Sequence, residues 1–200
     1  MQQIQPLTYG KYYHIYNRGI NGCNLFERKD NYEYFLNLYD KHVSPAVDTF
    51  AWVLMKNHFH MLIRIKEEAD FISPDRVWNP ARAFDPSKHF SNLFNSYAQA
   101  FNKMYDRHGA LFERPFKRKQ IDDKDYFKNS VIYIHNNPVH HNFTEYAMDY
   151  PWSSYLTCIS IKPTHLQRDA VIGWFDNAAN FKTAHDNYSG DEELEKWLGL

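Results

Sequence analysis

Asn57-His58-Phe59-His60-Met61-Leu62-Ile63 sets two imidazoles either side of one large apolar residue, in a stretch that otherwise reads as a buried strand. Side chains alternate faces along a strand, so His58 and His60 point one way while Phe59, Met61 and Ile63 point the other. The pair makes half of a metal site. In isolation such a pair is more often two hydrogen-bonded histidines on a polar sheet face, so a third ligand and a chemical partner are needed. A later stretch offers both. At about 100° per residue, Tyr126, Ser130, Tyr133 and Asn137 fall on one helical stripe. Tyr133 and Asn137, one turn apart, can address a common point. Two imidazoles and one amide oxygen leave coordination positions open for water or substrate. Imidazole favours transition metals, whereas positions filled by phosphate oxygens favour Mg²⁺ or Mn²⁺. On a phosphodiester, a cation would polarise a non-bridging oxygen and favour a leaving 3′-oxygen while Tyr133 attacked phosphorus to form a phosphotyrosine. A phenol titrates at about 10, so something must help remove its proton, and the sequence names no general base. Tyr126, about 10 Å up the same stripe, is the rival nucleophile.

The elements that hold these groups are legible in order. Residues 12 to 18 are aromatic and β-branched and end at Gly19, as a first strand and its turn would. Asp30 with Glu33 predicts a helix start, and Tyr32, Phe35, Leu36 and Tyr39 then recur at helical spacing. Val47 to Met55 predicts a second strand with Phe50, Trp52 and Leu54 on one face, joined through Lys56-Asn57 to the histidine strand, His58 to Ile65. From Glu67 to Lys88 periodicity dissolves around Pro74, Pro80 and Pro86, which predicts a long loop. A second helix is expected over 89–108, ended by Gly109. Phe112 to Ile121 predicts a fourth strand with the densest basic cluster in the chain. A third helix, capped by Asp122 or Asp123 and closed by Pro138, carries a core stripe of Phe127, Val131 and Ile134 beside the tyrosine stripe. Short helical pieces are expected from Tyr150, over 169–181, and over 192–198.

This order predicts an α+β fold: a split β-α-β plan in which a four-stranded antiparallel sheet carries two helices on one face. The first and third strands would be central, and the third helix would close over the histidines. We divide the chain into a catalytic domain over 1–148, including the 67–88 loop, and a helical C-terminal extension over 149–200.

Composition narrows the partners. Two hundred residues, 44% apolar, suit one domain with room for an appendage, can bury a real core, and exclude overall disorder. A net charge of −1 gives no general attraction for nucleic acid, so a DNA partner needs a local basic patch. Two cysteines make no disulfide framework, which suits a reducing cytoplasm. Neither a secretion signal nor a membrane-spanning run is read.

Four segments taken together carry a resemblance. Tyr-His-Ile-Tyr-Asn-Arg-Gly, Asn-His-Phe-His-Met-Leu-Ile, Leu-Phe-Glu-Arg-Pro-Phe-Lys, and Tyr-Ile-His-Asn-Asn-Pro-Val followed by Tyr-Pro-Trp-Ser-Ser-Tyr run in order from Tyr12 to Tyr155. Their combination resembles the single-tyrosine HUH transposases, and most of all the REP-associated tyrosine transposases. The resemblance implies a ferredoxin-like fold, His58 and His60 as metal ligands, Tyr133 as nucleophile, and Asn137 in the third ligand position, where insertion-sequence relatives often carry the longer Gln. It implies Mg²⁺ or Mn²⁺, a homodimer, and cleavage and joining of single-stranded DNA at or beside hairpins through a 5′-phosphotyrosine. Arg114, Lys117, Arg118 and Lys119, with Arg18, become the expected backbone grip, which positions DNA without reading its sequence. Two other readings fit the same residues: a DNA-hairpin-binding protein without catalysis, and a small Zn²⁺ hydrolase using an activated water.

Overall fold

The computed structural model describes residues 5–71 and 85–190. Strands β1 (Tyr12–Arg18), β2 (Val47–Leu54), β3 (His58–Ile65) and β4 (Lys117–Ile121) form one antiparallel sheet in the order β2-β3-β1-β4. The first and third strands are central, as the element order predicts. Helices α1 (Lys29–His42) and α2 (Pro86–Met104) pack on one face, and α3 (Lys124–His140) lies on the other.

Two apolar clusters separate these layers. Tyr13 and Ile15 from β1, with Phe59, Met61, Ile63 and Ile65 from β3, face α1 and α2. Leu62, Ala51 and Val53 face α3, with Phe127, Val131 and Ile134 as its buried stripe. Phe59 and His60 therefore serve opposite layers, and the alternation that fills one core aims the histidines at the other face.

Several boundaries differ from expectation for local reasons. Helix α1 is closed at its start by Asn31, whose Oδ1 accepts from the Glu27 and Arg28 N–H groups at 3.0 and 3.1 Å, whereas Glu33 pairs with Lys29. Strand β2 carries a register shift between Thr49 and Ala51, so Phe50 joins the α3-side cluster while Leu54 joins the other; the two do not share a face. Helix α2 begins at Pro86 because the Asp85 carboxylate accepts from Ser87 N–H at 2.8 Å and a proline there forfeits no helical bond. It ends at Met104, ahead of Asp106 at φ 48°. The rest of the 67–88 loop falls mostly on 72–84, outside the described residues.

Strand β4 is shorter than expected, since 112–116 joins the sheet only through a Gly19–Phe112 bridge. Pro138 does not close α3; the helix runs through it to His140. Helices α4 (Tyr155–Cys158), α5 (Arg168–Trp174) and α6 (Ala178–Asp186) follow. The single helix expected over 169–181 is two, divided at Asp176 with φ 67°, after which Asn177 caps α6. The helix expected over 192–198 lies outside the described residues.

Candidate functional site

His58 and His60 stand on β3 beneath α3. Tight β2–β3 connection fixes the first of them: Met55 N–H bonds His58 O at 2.8 Å, and Asn57 Oδ1 lies 2.8 Å from His58 Nδ1. The other ring nitrogen, Nε2, meets Asn137 Oδ1 at 2.9 Å. A neutral imidazole has one N–H, so it cannot donate to both amide oxygens. A turned amide or a shared cation removes the conflict.

His60 is buried, with its Nδ1 3.0 Å from His14 Nε2 on β1 and the Tyr16 ring stacked on it at 5.7 Å. The edge of the Tyr133 ring lies against it at 5.6 Å, and Tyr133 also meets His14 at 6.1 Å. Tyr126 packs at the margin of the α3-side cluster. The structure thus brings His58, His60, Asn137 and Tyr133 together on one chain.

Burial sets the electrostatics. It pushes His58 down to about 4, against an upward pull from the Asn137 hydrogen bond and with smaller downward contributions from His141 and Arg18. His60 is held well below its ordinary value by burial, then by His14, His58 and His141. His14 is driven down to about 3 by burial. All three rings are neutral near pH 7, the state in which imidazole offers a lone pair to a metal. Among the described residues no three His, Cys, Asp or Glu side chains converge as a metal cluster. A cation here would be held by His58, His60 and the Asn137 amide, and with only three protein ligands it would leave room for phosphate oxygens.

The basic residues do not form one patch. Strand register sets Arg18 opposite His58, Lys117 opposite Tyr16 and Lys119 opposite His14, so these three project on the histidine face. Arg18 also bonds Glu113 at 2.7 Å. Arg118, opposite Ile15, turns to the α2 face, where it stacks on Phe116 at 3.9 Å and donates to Ser87 Oγ. With exposed Arg114 it borders a groove of about 730 Å³ between α2 and residues 109–118.

Three histidines of this region escape the sequence reading. His14 sits on the face of β1 that alternation shares with Tyr16, a signal present in the strand pattern. The exposed His141, with its ring 5.2 Å from His58, and His140, 6.4 Å from Tyr133, continue the tyrosine stripe past Asn137. Treating Pro138 as a helix end cuts that stripe short.

The site is thus a His-x-His strand under a helix bearing a tyrosine and, one turn on, an amide. Over 111 residues the chain is homologous, at 29% identity, to the Haemophilus influenzae protein described as a REP-associated tyrosine transposase. That match covers 54% of this chain and about 58% of the relative's length. A solved structure of a REP-associated tyrosine transposase bound to a REP hairpin superposes with a TM-score of 0.60 over 82% of this chain and 88% of the other. At 14% identity that likeness speaks to the α+β fold. No family model matches the chain.

Proposed function

We propose that this chain is a transposase-like HUH endonuclease and strand transferase on a ferredoxin-like sheet, acting on single-stranded DNA at or near hairpins of the kind its solved relative binds. The observation that carries this reading is the meeting of Tyr133 with His60 and of Asn137 with His58. Tyr133 Oη forms a bond to phosphorus, the bond from phosphorus to the 3′-oxygen breaks, and the phenolic proton ends on the leaving 3′-hydroxyl. The cut strand stays on the protein by its 5′-phosphate, and joining is the reverse attack by another 3′-hydroxyl. His58, His60 and Asn137 would hold Mg²⁺ or Mn²⁺, which supplies charge stabilisation at the phosphate oxygens. Arg18, Lys117 and Lys119 are placed to grip the backbone on the reacting face, with Arg114 and Arg118 on the other.

The four site groups meet within one chain, so homodimerisation would serve to bring two DNA ends together. Among the described residues no helix is long and apolar enough to cross a membrane, and a cytoplasmic setting suits a DNA substrate.

One observation favours the non-catalytic alternative: Tyr133 is only 4% exposed, so a phosphodiester reaches it only if its cover moves. Labelled hairpins with single-stranded flanks, incubated with Mg²⁺ or Mn²⁺ and run on a denaturing gel, separate the two. A metal-dependent protein–DNA adduct lost in Tyr133→Phe, with hairpin retardation unchanged, supports the nuclease. Retardation without any adduct, in folded and metal-loaded protein, supports a hairpin-binding module. An adduct that survives in Tyr133→Phe moves the nucleophile, with Tyr126 first in line.

A further inference from the structure

We propose that His14 is a positioning residue for His60: it holds His60 Nδ1, decides which ring nitrogen faces the site, and must switch its own tautomer when His60 takes a cation. The inference rests on the reading of His58 and His60 as metal ligands.

The geometry is a closed pair. His14 is fully buried on β1, and its Nε2 lies 3.0 Å from His60 Nδ1. Its other nitrogen, Nδ1, is buried and has no hydrogen-bond partner. One proton lies between the two rings, and each neutral ring carries one proton in all. If His60 Nδ1–H donates, His60 Nε2 keeps a lone pair for a cation, and the His14 proton sits on the unpartnered Nδ1. If His14 Nε2–H donates, the His60 proton sits on Nε2, where it blocks coordination, and His14 Nδ1 is a bare lone pair.

These states differ in cost. An orphaned buried N–H is rarer in folded proteins than an under-satisfied acceptor, so the metal-free pair prefers the second arrangement. A cation at His60 Nε2 requires the first. The proton between the rings passes from His14 to His60 Nδ1, His60 gives up the proton on Nε2, and His14 gains one on Nδ1. Net charge is unchanged.

A ligating histidine ordinarily rests its second nitrogen on a carboxylate, a carbonyl or water, and loss of such a partner costs about 10–100-fold in metal affinity. Here the partner is an imidazole that must itself rearrange, so it both orients the ligand and sets a threshold for loading. No charged side chain is needed for this. The same ring supports the nucleophile's surroundings, since His14 also packs against Tyr16 at 5.5 Å and Tyr133 at 6.1 Å.

The test is histidine ¹⁵N NMR of the full chain, metal-free and with Mg²⁺, together with calorimetric Mg²⁺ and Mn²⁺ affinities for wild type, His14→Phe and His14→Gln. The expected result is a His60 proton on Nε2 without metal that moves to Nδ1 with Mg²⁺, accompanied by a shift at His14. His14→Phe should bind both ions about 10–100-fold more weakly, and its melting temperature should fall somewhat, since the orphaned His14 Nδ1 is removed but His60 Nδ1 loses its partner. His14→Gln, whose amide oxygen accepts from His60 Nδ1–H, should recover most of the affinity. Equal affinity in wild type and His14→Phe, or a His60 tautomer that metal leaves unmoved, overturns the inference while the metal site stands. A folded wild type that binds neither ion overturns the metal site itself, and the inference with it. Should His14→Phe not fold, the wild-type tautomer shift decides alone.

Discussion

Asn137 is the residue on which the site turns, because its amide reaches across from α3 to the His58 ring nitrogen that the β2–β3 connection does not hold. Replacing it by aspartate keeps the reach and adds a negative charge. A carboxylate beside His58 favours the imidazolium, so in Asn137→Asp the His58 pKa should rise from about 4 toward or past its ordinary value, while divalent-ion affinity increases. A ¹H–¹³C titration of the His58 ring measures the first effect and calorimetry the second. An unmoved His58 pKa would mean that α3 and β3 do not meet at this contact in solution. The residue types of this site were readable because strand and helix periods place His58 beside His60 and Tyr133 beside Asn137 with no tertiary information. His14 was not, since only the β1–β3 register reveals that it lies within hydrogen-bonding distance of His60.

At the level of elements, α3 is anchored by a buried polar chain that involves none of the site groups. Trp52 N–H donates to Ser154 Oγ, whose hydroxyl meets His135 Nε2 at 2.7 Å; His135 Nδ1 meets His185 Nε2 at 3.0 Å, and His185 Nδ1–H donates to Phe181 O. Taken in this direction every member is satisfied with both rings neutral. Ser154→Ala leaves Trp52 N–H and His135 Nε2 without partners and should cost about 1–3 kcal/mol in a denaturant melt. Burial drives His185 down to about 4 and His135 well below its ordinary value. Unfolded histidines take up protons at about pH 6.5, so the stability these rings contribute is full above that pH and drains as pH falls toward 4. Melts at pH 7, 5.5 and 4.5 should show this loss, and His185→Gln should lessen it; a flat profile would remove the neutral chain from the account. Sequence spacing revealed the strands and the first three helices but misplaced helix starts where a side-chain cap decides, Asn31 at α1 and Asp85 at α2, and misassigned a face where a bulge does, at Phe50 in β2. Such contacts carry no periodicity.

Across the whole molecule, the sheet separates two cores with different dependence on the chain's last quarter. The cluster under α1 and α2 draws, apart from the packing of Trp152, on residues before 117, whereas the cluster behind α3 mixes Phe127, Val131 and Ile134 with Tyr155, Val171, Phe175 and Phe181. The layer that holds Tyr133 and Asn137 over the histidines is therefore completed by residues far downstream. Leu54 N–H bonds Trp152 O, Tyr150 OH bonds Leu54 O, and Gln167 N–H bonds Thr49 O, which tie the same downstream stretch to strand β2. Phe181 is fully buried against Tyr155, His135 and Phe175. Truncating it to alanine should cost about 3–5 kcal/mol, as large aromatic deletions in packed interiors do. Because the lost contacts bear on α3, the loss should be global: one cooperative transition, moved to lower denaturant, seen alike by far-ultraviolet circular dichroism and by a probe on β3. If Phe181→Ala instead melts the residues after 150 in a separate early transition and leaves the sheet untouched, the downstream helices are an independent cover, and the layer holding Tyr133 and Asn137 stands without them.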